Sequence, residues 1–486
     1  MNKSMIRYLL AKLLLIEAML LCVPIVVALL NLKNDFVVKD SPTVFISLFA
    51  TIAILLILGG IGTLFKPKDF HIYAKEGVLI VALCWILWSF FGALPFVFSG
   101  QIPNIIDAFF EVSSGFTTTG ATILNDVSVL SPSLLFWRSF THLIGGMGVL
   151  VFALAIMDNA KNSHLEVMKA EVPGPVFGKV VSKLKNTAQI LYILYLAMFA
   201  LFVVIYYLAG MPLYDSFVIA MGTAGTGGFT VYNDGIAHYH SSLITYLTSI
   251  GVLMFGINFN LYYYLMIRRF KEFFFDEELR AYLLIVIIST GLITLNTLHL
   301  YSGVSQSFEM AFFHVSNIIT TTGFGYGNTT NWPLFSQYIL LMLMAIGGSA
   351  GSTAGGLKVM RGVILAKIAK NQFLSTISPH RVLTLHVNQT VIDKDTQHKI
   401  LKYFVVYIMI LLSLIFIISL DANDLMIVTS AVFSCFNNIG PILGTTASFS
   451  IFSPFSKLLL SFAMIAGRLE IYPIILLFMK RTWSKR

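Results

Sequence analysis

Four short runs rich in threonine and glycine hold the residues best suited to chemistry: TTTGAT at 117–122, GTAGTGGFT at 222–230, TTTGFGYGN at 320–328 and NNIGPILG at 437–444. Glycine at this density frees a backbone to turn successive carbonyl oxygens toward one point, and a ring of carbonyls can replace the water around a cation. With Gly120, Gly227, Gly323 and Gly440 taken as equivalent, subtracting residue numbers gives intervals of 107, 96 and 117. One TTTG alone reads as a threonine-rich turn with a packing glycine. Four at near-equal spacing read as copies of one unit able to surround a single axis.

The elements that must position these runs are apolar helices. The 486-residue chain is 57% hydrophobic and 11% charged, and its apolar segments are long enough to cross a hydrocarbon layer of roughly 30 Å. The first, 5–30, has the bases Lys3, Arg7 and Lys12 at its start, but its apolar run is too long for a signal peptide and no small-residue cleavage pattern follows. Segments 44–64 and 77–98 come next. Segment 105–116 is helical in pattern, yet at 1.5 Å per residue its roughly 18 Å cannot cross the layer, so it should enter and return. Asp107 near its start favours the positive end of the helix dipole, which leaves the carbonyl end directed inward, a setting suited to a cation. Segment 134–157 then crosses back.

This unit recurs: 190–208, a short helix begun by Asp215, Gly227, then 243–267; 282–300, a helix begun by Glu309, Gly323, then a segment from Phe335; 403–420, a helix begun by Asp424, Gly440, then 457–479. All copies share one orientation, which favours a closed ring of parallel repeats over an inverted repeat. Non-helical backbone at membrane depth is tolerated where protein buries it or it lines a cavity. The expected fold is an all-α polytopic membrane protein, with two N-terminal helices in 1–75 and helix, loop, helix repeats in 76–160, 161–270, 271–370 and 371–486 around one central pore. The third repeat has a broken second helix.

Charge gives orientation rather than a nucleic-acid partner. Of 32 Lys and Arg, 27 fall in the N-terminus, 66–75, 161–185, 268–280, 358–402 and the tail from Lys480, which the positive-inside rule assigns to the cytoplasm. The basic segments also suit lipid headgroups. The opposite connections carry Asp35, Asp40, Asp107, Glu111, Asp126, Asp215, Asp234, Glu309, Asp421 and Asp424, an acidic entrance that would concentrate cations. Cys22, Cys84 and Cys435 read as buried thiols. His142, His314 and His380 are scattered, with no hydrolase or zinc-protease pattern, so no enzyme and no organic cofactor are expected. GGSAGSTAGG at 347–356 lacks the GK[ST] ending of a phosphate loop.

That glycine run has another reading. Arg468 lies 28 residues after Gly440, and 28 residues after Gly323 lies Gly351, within a run that also holds Gly347, Gly348, Gly355 and Gly356. An arginine at helix centre costs roughly 2.5 to 3.5 kcal/mol on insertion scales, so it should face the pore or a partner. The expectation is an irregular loop across the pore below the glycine ring, with Arg468 beside it as a barrier to cations. The competing readings of Arg468 are an ion pair with Glu470 or capping of a broken helix's carbonyls.

SGFTTTGAT at 114–122, TGGFT at 226–230, TTTGFG at 320–325 and FNNIGP at 436–441 together resemble the four filter loops of the membrane subunits of bacterial Trk potassium uptake systems, the TrkH and TrkG group of a superfamily that includes KtrB and the fungal Trk proteins. The resemblance covers nearly the whole chain. It implies potassium, with rubidium as a second candidate, as the ion carried, and filter carbonyls at Thr118, Thr119 and Gly120; Gly225, Thr226 and Gly227; Thr321, Thr322 and Gly323; Asn438, Ile439 and Gly440. It also implies the gate loop in the third repeat and the arginine in the fourth. A homodimer with one pore per subunit, a cytosolic TrkA-like nucleotide-binding RCK ring and a bacterial cytoplasmic (inner) membrane follow from it as well. Only the first glycine persists in all four loops, and Pro441 removes a backbone donor, so discrimination among potassium, rubidium and sodium stays open. So do a proton- or sodium-coupled potassium symporter of the same fold and a non-conducting sensor, which the intact glycines disfavour.

Overall fold

The structure, a computed structural model, describes residues 1–30, 39–70, 72–148, 184–327, 329–378, 383–388, 390–422, 424–445 and 447–483. The end of the first inward segment at Met157, the basic stretch 161–183, Asp35 and His380 lie outside them. Six of the described helices are long and apolar enough to cross a membrane, or seven when the pair Ser242–Phe255 and Phe259–Met266, bent by 90°, is one span. The all-helical, multi-span class expected from hydropathy is the class observed.

An N-terminal span, Lys3–Leu30, turns at Leu21 and packs on Pro42–Leu64. Without a hydrophobic drive between helices in lipid, close packing supplies the attraction. A β-carbon added at Gly59 would lie 2.7 Å from the Leu15 side chain. Four units then follow in one order. The long helices Ala74–Phe98, Leu184–Leu208, Glu277–Thr297 and Lys394–Ile418 precede the short helices Ile105–Phe116, Leu213–Gly225, Val304–Ile319 and Leu425–Phe436. Each short helix is followed by a glycine run and an inward helix.

Two expectations are corrected. The third short helix begins at Val304, so Glu309 lies in its second turn. The start is fixed earlier because Gln306 accepts from both the backbone and the hydroxyl of Ser302. The inward helices are also not continuous in the second and fourth units, nor is the break confined to the third. They stop at Gly146, Phe255, Ile346 and Arg468. Gly347, Glu470 and Ile471 have positive φ of 74°, 57° and 69°, which no α-helix accommodates.

A buried ion pair ties the short helix of the first unit to its inward helix, and its arginine also reaches the second unit. Arg138 on Pro132–Gly146 donates through Nε to Glu111 Oε1 at 2.6 Å, and its guanidinium carbon stands 3.3 Å from the ring centroid of Phe229. Glu111 also accepts from Thr122 Oγ1 at 2.8 Å and Ile123 N at 2.9 Å, holding the chain after the first glycine. At 1% exposure it is a structural group and not part of an acidic entrance. Removing one partner of a buried pair costs about 3 to 5 kcal/mol. Arg138→Ala is therefore expected to lower the thermal unfolding midpoint of the detergent-solubilised protein by several degrees. An unchanged midpoint would show the pair to be dispensable.

Candidate ion-conducting site

Each short helix ends in the same way. Thr118, Thr226, Thr321 and Asn438 take left-handed φ of 54°, 53°, 56° and 59°. The next residue then donates its N–H five positions back: Thr119 to Ser114, Gly227 to Gly222, Thr322 to Asn317 and Ile439 to Ser434, at 2.8 to 2.9 Å. This is the Schellman ending of a helix, with threonine or asparagine where glycine is usual. Side chains brace it: Thr117 Oγ1 and Thr119 Oγ1 are 2.7 Å apart, and Thr320 Oγ1 and Thr322 Oγ1 are 2.8 Å apart.

Two residues after each left-handed position comes a glycine with positive φ: Gly120 at 78°, Gly228 at 76°, Gly323 at 70° and Gly440 at 111°. These four close a cycle. A β-carbon on Gly120 would meet the carbonyl oxygen of Gly227, one on Gly228 that of Thr322, one on Gly323 that of Ile439, and one on Gly440 that of Thr119. The middle carbonyl of every loop thus lies against the glycine of a neighbour. The second loop's register is one residue later than expected. Gly225 ends its helix, and the residues matching Thr118, Thr119 and Gly120 are Thr226, Gly227 and Gly228. In a GG doublet the first glycine does not mark the place. The threonine or asparagine two positions before each ring glycine was the signal in the sequence.

On one side of the cycle a cavity of about 530 Å³ is lined by all four ring glycines together with Asn125 and Tyr326. At its rim, hydrogen bonds from Asn233 and Ser128 hold the exposed Asp126 carboxyl below the usual carboxylate range. Other acids expected at an entrance are engaged in structure: Asp107 pairs with Lys457 at 2.7 Å, and the buried Asp215 accepts from Tyr239 at 3.1 Å. The strands leaving the cycle are held by different chemistry in different units. His314 Nε2 bonds Tyr326 O at 2.9 Å, Ser434 Oγ accepts from Gly440 N at 2.9 Å, and Ser430 Oγ accepts from Leu443 N at 3.0 Å. Among the described residues no group of three His, Cys, Asp or Glu side chains could hold a metal ion.

The run 347–356 lies against the left-handed helix ends. Gly355 N donates to Thr321 Oγ1 at 2.6 Å, Thr226 Oγ1 donates to Thr353 Oγ1 at 3.3 Å, and a β-carbon on Gly355 would meet Asn437 O. Three of the four loops therefore touch it. Gly347 and Gly356 pack on each other's legs, where a β-carbon on Gly347 would lie 2.8 Å from Gly356 Cα. Gly351 O accepts from Phe259 N at 3.0 Å, and Ser349 N donates to Gly256 O at 3.0 Å. A β-carbon on Gly348 would meet Ala354. Arg468, 8% exposed, donates to Thr353 O at 2.7 Å and to Gly145 O and Gly146 O at 2.6 and 2.7 Å. Of the two competing readings, carbonyl capping is the one seen, whereas Glu470 pairs with Arg361 at 2.5 Å. Sequence reasoning missed Thr353, Gly145 and Gly146, which join Arg468 to the first and third units.

A ring of parallel helix, loop, helix units with non-helical backbone gathered at its centre defines a transporter or channel for small ions, not an enzyme. The comparisons with known proteins agree. The model of the TrkH family of cation transport proteins matches residues 44–485, and the chain belongs to that family. It is 32% identical over 445 residues to the Trk system potassium uptake protein TrkG of Escherichia coli K12, covering 90% of this chain and 91% of that one. With TrkH of the same organism it shares 33% over 430 residues, covering 86% and 88%. The crystal structure of the potassium transporter TrkH from Vibrio parahaemolyticus superposes with a TM-score of 0.88 at 28% identity over 100% of both chains.

The corrected register makes a prediction. A β-carbon on Gly227 meets the His142 ring, 2.5 Å from its Nδ1, whereas one on Gly228 meets the backbone of the next loop. Gly227→Ala is expected to recover in cation selectivity when combined with His142→Ala. Gly228→Ala is expected to stay impaired whatever neighbouring side chain is shortened. Competition of rubidium and sodium flux in proteoliposomes reads both, and the reverse pattern would restore Gly227 to the ring.

Proposed function

We propose that this chain carries potassium through the glycine cycle, which acts as a selectivity filter, and that it serves potassium uptake. The observation that carries the reading is the four-way closure of middle carbonyls on glycines 120, 228, 323 and 440. The names of its relatives as potassium uptake proteins support the ion. In this reading the filter oxygens belong to Thr118–Gly120, Thr226–Gly228, Thr321–Gly323 and Asn438–Gly440, and rubidium, close in size, follows potassium.

The run from Gly347 to Gly356 acts as the gate, with Arg468 beside it as an electrostatic barrier. Its contacts with three filter loops and the burial of the guanidinium support this assignment. The repeats divide at 76–160, 161–270, 271–370 and 371–486, after two extra helices in 1–75. The basic connections and the N-terminus face the cytoplasm of a bacterial inner membrane, and the protein works as a homodimer. A cytosolic nucleotide-binding RCK ring, TrkA-like, docks on the basic face and moves the gate through Val359–Ile377, the helix that continues from it.

Two experiments test this. Gly323→Ser puts a side chain at φ 70° against Ile439 O, so the preference for potassium over sodium should fall about ten-fold or more, from a ring distorted by about 1 to 2 kcal/mol. Unchanged selectivity in a conducting variant would remove Gly323 from the filter. Deleting residues 348–355, or Arg468→Ala, should raise rubidium flux in proteoliposomes without the cytosolic ring and leave ion preference intact. Parental flux from both folded variants would place the gate elsewhere. A requirement for a sodium or proton gradient in the parent would replace the channel reading by the symporter.

A further inference from the structure

Glu278 lies outside the filter and outside the gate run, yet one of its oxygens bonds both that run and the helix that follows it. Its Oε1 accepts from Ala350 N at 2.7 Å and from Met360 N at 3.0 Å. These amides are ten positions apart, one before the loop's turn at Gly351 and one in the first turn of the helix Val359–Ile377. Separating the run from that helix therefore breaks at least one of the bonds. The carboxylate is 1% exposed and sits at two helix amino termini, its own in Glu277–Thr297 and that of Val359–Ile377, where a negative charge is favoured. A cavity of about 1060 Å³, lined by Asn258, Glu278, Gly351, Met360 and Asn388, adjoins this side of the loop and offers room for its displacement.

The amino end of the Glu278 helix is itself held from outside. Asn388, between the two-residue strands His386–Val387 and Thr390–Val391, accepts from Glu277 N through Oδ1 at 2.8 Å and donates through Nδ2 to Asp276 Oδ2 at 2.6 Å. Lys367, on the helix after the gate run, bonds both the Glu277 carboxylate and His386 O. Surface hairpin, helix end and gate run form one chain of bonds.

We propose that Glu278 is the positioning residue that clasps the gate loop shut, and that the hairpin bearing Asn388 is the point at which force from the cytosolic side loosens the clasp. This rests on the reading of 347–356 as the gate. Loss of an acceptor shared by two buried amides is worth about a ten-fold shift toward the open loop, about 1.4 kcal/mol.

The test is rubidium flux in proteoliposomes of the full chain without a cytosolic partner. Glu278→Ala is expected to raise it about ten-fold or more with rubidium-to-sodium preference kept. Glu278→Gln, which retains an acceptor, should fall between that variant and the parent. Asn388→Ala, on the exposed hairpin, should shift flux in the same direction by less, and it carries the test together with Glu278→Gln if the alanine variant fails to fold. In a background lacking 348–355, Glu278→Ala should add nothing. If the deletion raises flux but Glu278→Ala, or Glu278→Gln with Asn388→Ala, leaves it at the parental level, the clasp is wrong and the gate stands. If the deletion itself leaves flux unchanged, the gate reading falls and the clasp with it.

Discussion

The contact on which the rest of the structure depends is that of a carbonyl oxygen against the α-carbon of a neighbouring loop's glycine, made four times around a closed cycle. It imposes two demands on the same residue. The backbone must turn through positive φ, and no side chain can occupy the space taken by the next loop's oxygen. Either demand alone would favour glycine; together they leave it no substitute at 120, 228, 323 and 440. The cycle also explains the short helices, since a loop must be delivered to the axis from outside and its chain must leave again on the same side. The left-handed residue at each helix end costs about 1 to 2 kcal/mol when it is not glycine. The Schellman bond and the paired threonine hydroxyls offset that strain.

Around a nearly four-fold backbone the side chains are not symmetric. The first strand leaving the cycle is held by a carboxylate already committed to Arg138, the third by a histidine and the fourth by two serines. Asn438 replaces threonine in the fourth loop, and its amide reaches Thr119 Oγ1 at 3.0 Å and Met464 O at 2.9 Å, tying the last loop to the first. One chain can differentiate its four units in this way, and among the described residues the third carries a long excursion, 347–358, between its two inward segments.

This division decides what the sequence made legible. Glycine spacing, helix length and apolar composition gave the class, the four units and the short helices, because each reflects a constraint local to one segment. The register of the second loop was misread because Gly227 and Gly228 are chemically identical and differ only in which neighbour fills the space beside them: a histidine ring or a backbone oxygen. Glu111 and Asp215 were taken for entrance acids because a carboxylate's burial and its partners depend on contacts between segments. Arg468 stood out through the cost of placing it in an apolar helix. Its partners at Gly145, Gly146 and Thr353 are more than a hundred residues away and left no pattern near it.

Those partners also bear on the gating proposed for the run 347–356. Gly145 and Gly146 end an inward helix, so their carbonyls sit at its partially negative end and hold the guanidinium by dipole as well as hydrogen bond. Thr353 belongs to the run 347–356 and contributes one bond of the set. A hydrogen bond to a charged group is worth about 1.5 to 3 kcal/mol. Moving the run away from Arg468 forfeits one of the arginine's bonds along with the run's own to Thr321, Gly256, Phe259 and Glu278, whereas moving Arg468 away forfeits every bond of the guanidinium and leaves a charge buried without its cap. Under the proposed gating it is the run that moves, because its departure leaves the guanidinium capped by Gly145 and Gly146. The arginine would then stay fixed to the first unit, while the run swings on the helix that begins at Val359.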